Sequence, residues 1–382
     1  MQIVAVELRR CGLELVRPIR ASFTAHHRRP VVLVRLLDED GLEGWGECDA
    51  LAERVYAGED ANASAHALAT RLVPALGSGR LDEDDPVADL VARLRVVPGS
   101  AFAKAALEMA VLDAWLRRSA RSLASFLGAT RTTVTASATI SLASVDAVVA
   151  AVADAAGDGY RRVKCKIAPG HDVAPLAALR RAFPDLAVVA DANGAYDPRQ
   201  AEQRRALAQL DELGLVALEQ PLARGDLDAS ARLCAALSTP VLLDESIGGL
   251  ADLKAALERG AGDGVVVKPG RLGGILAARE LARRAADAGL HVVLGGMFET
   301  GLARAAHLCL AATSIFDLPG DLGASARYFV PDLAGPHRLI GGELAVPDGP
   351  GLGLRPDPAV LASCSEASAF GRPGEALSWT GA

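Results

Sequence analysis

The chain has 382 residues, about half of them apolar, which is enough for two domains or for one barrel with a cap. Its formal net charge of −7 comes without any basic block, which argues against nucleic acid as a partner. No apolar run approaches the roughly 18 residues that a membrane helix needs.

The N-terminus, MQIVAVELRRCG, lacks the apolar core of a secretory signal and reads as a first strand. The six cysteines (11, 48, 165, 234, 309 and 364) form no CxxC pair. That scatter suits reduced thiols and a cytoplasmic location better than a disulfide frame or a zinc site.

Residues 1–50 predict an antiparallel meander: IVAVEL, then PVVLVRLLD, then a turn at EDG and a return strand LEGWGEC. The partly basic stretch between the first two strands, residues 17–30, is expected to be a long lid or binding loop. His26 and His27 fall within it and read as solvated. Residues 59–77, 86–96 and 102–120 have helical spacing, and SLASFLG ends at Gly128, a plausible helix stop. A first, α+β domain is therefore placed at 1–128.

From 129 the pattern changes. A β-branched run, TTVTASATISL (132–142), predicts one barrel strand. Five apolar runs follow, each ending in a charge: VKCKI, AVVAD, VALEQP, VLLDES and VVVKPG. Their charged ends are spaced by 25, 28, 25 and 24 residues, the step of consecutive βα units. Ala-rich helical segments fill the gaps, at 172–183, 198–213, 227–237, 249–260 and 273–289. HVVLGGMFET (291–300) and TSIFDLPGD (313–321) read as the last two strands. The expected architecture is α/β: a modified (β/α)8 barrel over 129–330, capped by the N-terminal α+β domain. Residues 331–382, rich in Gly and Pro, are expected to return and pack on the cap.

Buried parallel strands read as continuous apolar runs, so the terminal charges sit at strand C-termini, the face where barrels do chemistry. Lys164 and Lys166 alternate with Cys165 and must point to one face. Side by side, two ammonium groups should depress each other's pKa, which would leave a lysine able to act as a base on carbon. A solvated KxK is the commoner fate of such a tripeptide, but here Val163 and Ile167 flank it. Asp191, Glu219 and Asp244 each close an apolar run. One carboxylate there is usually a helix cap; three on neighbouring rungs suit Mg²⁺, with Mn²⁺ as a substitute. Glu245 should face away or lie behind the metal. Lys268, across the ring from Lys166, could address the opposite face of a bound carboxylate, although a surface lysine before a Pro-Gly turn is the plainer reading. A metal on the substrate carboxylate would stabilise the enediolate left when an α-proton departs. His291 and His307 read as packed or surface residues, and no phosphate-binding or nucleophile-elbow motif stands in a fitting context.

The set KxK, DAN (191–193), EQP (219–221), DES (244–246) and KPG (268–270) resembles the muconate-lactonising subgroup of the enolase superfamily. GWGEC (44–48), the ALEMAVLDAW helix and PGLGL (350–354) share that likeness, so it spans nearly the whole chain. GGMFETGLARAAHLCLA (295–311) and LPGDLGASARYF (318–329) are similar to the branch that holds o-succinylbenzoate synthases and N-acylamino acid racemases. The resemblance implies a magnesium-dependent lyase of menaquinone synthesis, or a racemase on the same site. Cycloisomerase and dipeptide epimerase chemistry lie further off. A barrel that only binds an acidic metabolite would not need lysines on two faces.

By this likeness Lys166 is the base, Lys268 a cation against the substrate and Lys164 a carboxylate holder. Asn193 lies beside the metal, and Glu245 lies behind it. The substrate is a small carboxylate, and the resemblance implies an assembly of several subunits. Specificity is expected from Ile19, Arg20, Leu51 and Tyr56 above the mouth, and from Ser137, Gly296, Met297, Phe298 and Tyr328 within it. Arg271 is expected to tune Lys268, against the bland reading of a helix-start arginine. Two features depart from the family: Ile19 stands where an aromatic is usual, and the 49–58 loop is atypical.

Overall fold

The structure is a computed structural model that describes residues 1–20, 25–54, 56 and 58–381. One sheet is antiparallel, in the order Thr380–Gly381, Ser365–Gly371, Ile3–Arg20, Ala25–Asp38, Glu43–Cys48. The first two strands in sequence make one long hairpin, with Leu8 opposite Val34 and Leu13 opposite Arg29. The expected 17–30 loop is therefore mostly strand, and residues 21–24 lie outside the described residues. One of its four arginines has a cross-strand partner: Arg28 stands opposite Glu14 and pairs with it at 3.1 Å.

The GWGEC strand packs on the helix Ala101–Arg118 through its glycines. A Cβ on Gly46 would stand 2.0 Å from the Ala106 carbonyl oxygen, and one on Gly44 2.1 Å from that of Ala110. Only glycine at alternate strand positions lets helix and strand backbones come this close. The tail returns as expected, with Ala369 opposite Leu8.

The second sheet has seven parallel strands in sequential order: Ala138–Ile140, Arg162–Lys166, Ala187–Asp191, Ala217–Glu219, Val241–Leu243, Gly264–Val267 and His291–Leu294. Helices cross between the strands, among them Val173–Ala182, Ala201–Asp211 and Ile275–Asp287. The result is the expected modified barrel with two corrections. The 132–142 run splits: Thr133–Thr135 leaves the barrel and pairs with Glu343–Ala345. Residues 313–321 form no strand among those described. Pro319 has no N–H to give a ladder, and Gly320 presses on Leu294, where a Cβ would meet the carbonyl at 2.5 Å. Single hydrogen bonds span the gap instead, from Asp321 N to Leu294 O (2.8 Å) and from Ser137 N to Leu322 O (3.0 Å).

Buried carboxylates of the cap bind the N-termini of barrel helices. Glu47 accepts from Thr300 N (2.9 Å), Thr300 Oγ1 (2.6 Å) and Ala303 N (3.2 Å), at the start of helix Gly301–Ala311. Glu108 accepts from Ile275 N and from Leu276 N, the latter at 3.2 Å, at the start of helix Ile275–Asp287. Unpaired N–H groups and the positive end of the helix dipole favour an acid at such a place. Among the described residues no helix is long and apolar enough to cross a membrane.

Burial pushes the Glu108 carboxyl up to about 7, against the pull of the two backbone N–H groups. The folded chain then keeps a proton that the unfolded chain, titrating near 4.5, has already released. This group's contribution to stability is therefore full below about pH 4.5 and is lost as pH rises toward 7, by on the order of 3 kcal/mol. Glu108→Gln should flatten the fall in Tm between pH 5 and 7.5, leaving the share due to Glu47. Equal slopes in variant and wild type would contradict this.

Candidate active site

Parallel register places the acids side by side: Lys166 stands opposite Asp191, and Asp191 opposite Glu219. The local chain is bent to present them. Asn193 and Gln220 have positive φ (45° and 36°), which is uncommon for residues with a side chain. Gln220 earns its place through its amide. Its Oε1 accepts from Asp244 N (2.9 Å) and Ser246 N (3.1 Å), and its Nε2 donates to Leu222 O and Ser246 Oγ, both at 2.8 Å. One buried side chain thus fixes the EQP and DES turns relative to each other, a role not anticipated from the sequence.

Lys164 and Lys166 do share a face, and both reach Asp191 Oδ2, at 3.0 and 2.7 Å. Lys166 also donates to Asn193 Oδ1 (2.8 Å), and Asn193 Nδ2 donates to Glu245 Oε1 (2.9 Å). Glu245 therefore sits behind Asn193. Lys164 further donates to Glu219 Oε1 (2.9 Å) and Asp321 Oδ2 (2.5 Å). The expected mutual depression of the two lysines is overturned for Lys164. Burial works to lower its pKa, but Asp191, Asp321 and Glu219 outweigh that and hold it well above the ordinary range. Lys164 is a fixed cation, not a base.

Asp321 is a site residue that the strand-like pattern of its segment conceals: it lies on the irregular stretch that spans the barrel gap, and Arg162 Nη1 also approaches it, at 3.4 Å. On the far side, Lys268 Nζ meets Asp244 Oδ2 (2.8 Å) and the Tyr56 hydroxyl (2.7 Å). Arg271 Nη1 meets Asp244 Oδ1 (2.6 Å) and also donates to that hydroxyl. Arg271 does stand in the short helix Pro269–Leu272, but it is buried, does not line the cavity, and its contacts are with Asp244, Tyr56 and the Val266 carbonyl. Burial would raise Asp191 and Asp244, yet the cations beside each hold them well below the usual carboxylate range.

A cavity opens above these groups. Its walls include Lys164, Lys166, Lys268 and Asn193 from the strand ends. Leu51 and Tyr56 enter from the cap, and Gly296, Met297, Phe298 and Tyr328 from the last loops, all as expected. Phe298 and Tyr328 meet edge to face, their centroids 5.5 Å apart. Ser137 is a correction: it is buried and does not line the cavity, its Oγ has no partner among the described residues, and Thr139 lines the space. His26 is another: it is 7% exposed, lines the cavity and is lowered in pKa by burial. The side chains of Ile19 and Arg20 lie outside the described residues.

Among the described residues no three acids are already gathered around one point, because ammonium and guanidinium groups hold them. The donor set nonetheless fits a hard divalent cation. Five cations (Lys164, Lys166, Lys268, Arg271 and, at 3.4 Å from Asp321, Arg162) face five acids (Asp191, Glu219, Asp244, Glu245, Asp321), so the acids are crowded but the charges balance in number. The crowding is felt most at Glu219, whose carboxyl is raised well above its ordinary value by burial and by the neighbouring Asp191. Among the described residues its Oε2 is buried with no partner, as is Glu245 Oε2. Oxygen donors with an unused lone pair beside other carboxylates are what Mg²⁺ takes.

Comparison with known proteins gives the family. Residues 4–128 match the N-terminal domain of mandelate racemase / muconate lactonizing enzyme, and residues 147–360 match the enolase C-terminal domain-like family. An N-succinylamino acid racemase of Amycolatopsis is 42% identical over 94% of this chain and 97% of its own length. An o-succinylbenzoate synthase of Geobacillus kaustophilus is 37% identical, covering 94% of each chain. The crystal structure of muconate lactonizing enzyme from Pseudomonas fluorescens superposes with a TM-score of 0.90 at 26% identity, over 96% of this chain and 99% of that one. The chain belongs to the enolase superfamily, in the mandelate racemase / muconate lactonizing enzyme group.

Proposed function

We propose that the protein is an o-succinylbenzoate synthase, which dehydrates 2-succinyl-6-hydroxy-2,4-cyclohexadiene-1-carboxylate in menaquinone synthesis. The observation that carries this reading is the placing of Lys166 and Lys268 on one cavity, each tied to a different carboxylate of the same acid row. Asp191, Glu219 and Asp244 would hold magnesium, with manganese as a substitute. When bound, that ion would lower the cost of the second negative charge on the substrate carboxylate as its α-proton leaves.

The protein's own groups do the rest. Lys166, without its proton, takes the α-proton, and the electron pair of that C–H bond moves toward the carboxylate. The C–O bond to the ring hydroxyl then breaks on the same face. Lys166 returns its proton to the departing oxygen, so water leaves and the amine is restored. Lys268 offers an ammonium to the substrate ring, and Lys164, held cationic, fixes the carboxylate. Phe298, Met297 and the cap residues Leu51 and Tyr56 keep water away from the reacting carbon.

A second reading is N-succinylamino acid racemase. The specific support is the same lysine pair: one ammonium can return a proton to the face opposite the one from which the other amine removed it. The relatives in the comparison carry both names.

Two assays separate the readings. Loss of the cyclohexadiene ultraviolet band follows dehydration, and α-proton exchange of N-succinylphenylalanine in D₂O follows racemisation. Lys166→Ala should abolish both, by roughly a thousandfold or more, with the fold intact by circular dichroism. Retained turnover would remove Lys166 as the base. EDTA should silence the enzyme, and Mg²⁺ or Mn²⁺ should restore it. Full activity in chelator would mean that the acids are structural.

A further inference from the structure

Arg29 lies on the strand Ala25–Asp38 of the cap, outside the motifs on which the family resemblance was read, and is 2% exposed. It makes no ion pair among those recorded for the described residues. Its guanidinium is taken up by carbonyl oxygens: Nη1 donates to Pro30 O (3.0 Å) and Ala50 O (2.5 Å), Nη2 to Asp49 O, and Nε to Phe298 O (3.3 Å). Burial lowers its pKa, and the nearby Asp49, Glu47 and Glu299 work against that. A buried guanidinium is costly unless its forked donors are matched, and here three of its nitrogens are matched by backbone from two domains.

The backbone it holds is that of the two cavity walls. Asp49 and Ala50 begin the cap segment that carries Leu51 and Tyr56 into the cavity. Asp49 also abuts the turn after Lys268, since a Cβ on Gly270 would stand 2.2 Å from Asp49 Oδ1. Phe298 is the other wall, and it sits at φ 58°, a left-handed conformation that a phenylalanine holds only when its surroundings impose it. The imposition comes from both sides: Arg29 takes the Phe298 carbonyl, while the preceding Met297 N–H donates to Glu299 Oε2 at 2.7 Å.

We infer that Arg29 is a positioning residue that locks the cap wall (Asp49 to Tyr56) and the barrel wall (Met297 and Phe298) into one register, and so sets the shape of the substrate cavity. The inference rests on the reading of this cavity as the substrate site. A lysine at position 29 keeps the charge but has one nitrogen, so it cannot serve carbonyls on both walls at once.

The test is Arg29→Lys, read by hydrogen exchange and by kinetics. Peptides covering 48–56 and 296–300 should both exchange faster than in wild type, while those of the central barrel strands do not change. KM should rise about tenfold for either candidate substrate, with kcat changed about threefold or less. Wild-type exchange at both walls, or a change at one wall alone, in a folded variant would overturn the inference. Should the variant fail to fold, the wild-type chain decides. In a guanidinium series the two peptides should lose protection in a single step; separate steps, or no protection in either, would overturn it. A wild-type chain that turns over neither substrate defeats the functional reading, whereas the exchange results still judge the joint.

Discussion

Carboxylates crowded together out of water are the constraint on which this molecule turns. Five acids and five cations meet within the barrel, and among the described residues Glu219 Oε2 is left with nothing to bind. Burying an unmatched carboxylate oxygen costs free energy that a stable fold does not spend idly. The arrangement makes physical sense when a divalent cation completes it. The same crowding explains the pKa pattern: Lys164 is held cationic, Asp191 and Asp244 ionised, and Glu219 is pushed toward its neutral form by burial and by its acidic neighbours. Acid and base roles in an active site are separated by this kind of uneven environment.

The cap is part of the chemistry as well as a cover. Glu47 and Glu108 bind the starts of two barrel helices, the Tyr56 hydroxyl touches Lys268 and Asp244, and Arg29 joins the cap to the Phe298 turn. A barrel mouth is built from loops, which are mobile unless something holds them. Here the holding groups are charged side chains of another domain, directed at backbone.

What could be read from the sequence followed from periodicity. Five apolar runs of near-even spacing, each closed by a charge, determine strand direction and which end carries the acids. That is why Lys166, Asp191, Glu219, Asp244 and Lys268 could be chosen from residue order. What could not be read depends on contacts between distant segments. Asp321 looked like the end of a strand, but the stretch around Pro319 does not extend regularly and instead carries the acid to Lys164. The basic 17–30 stretch has the pattern of a loop, because the register that sets Arg28 opposite Glu14 is visible only once the hairpin is known. Arg271 had the pattern of a helix-start arginine, and only the fold shows Asp244 beside it. His26 looked solvated, and the cavity encloses it. Arg29 has no local signal at all, since its partners are carbonyl oxygens.

Manganese anomalous diffraction from crystals of the wild-type chain tests the central claim most directly. One anomalous peak is expected, bounded by oxygens of Asp191, Glu219 and Asp244. A peak elsewhere, or three carboxylates that stay apart with no ion among them, would contradict it.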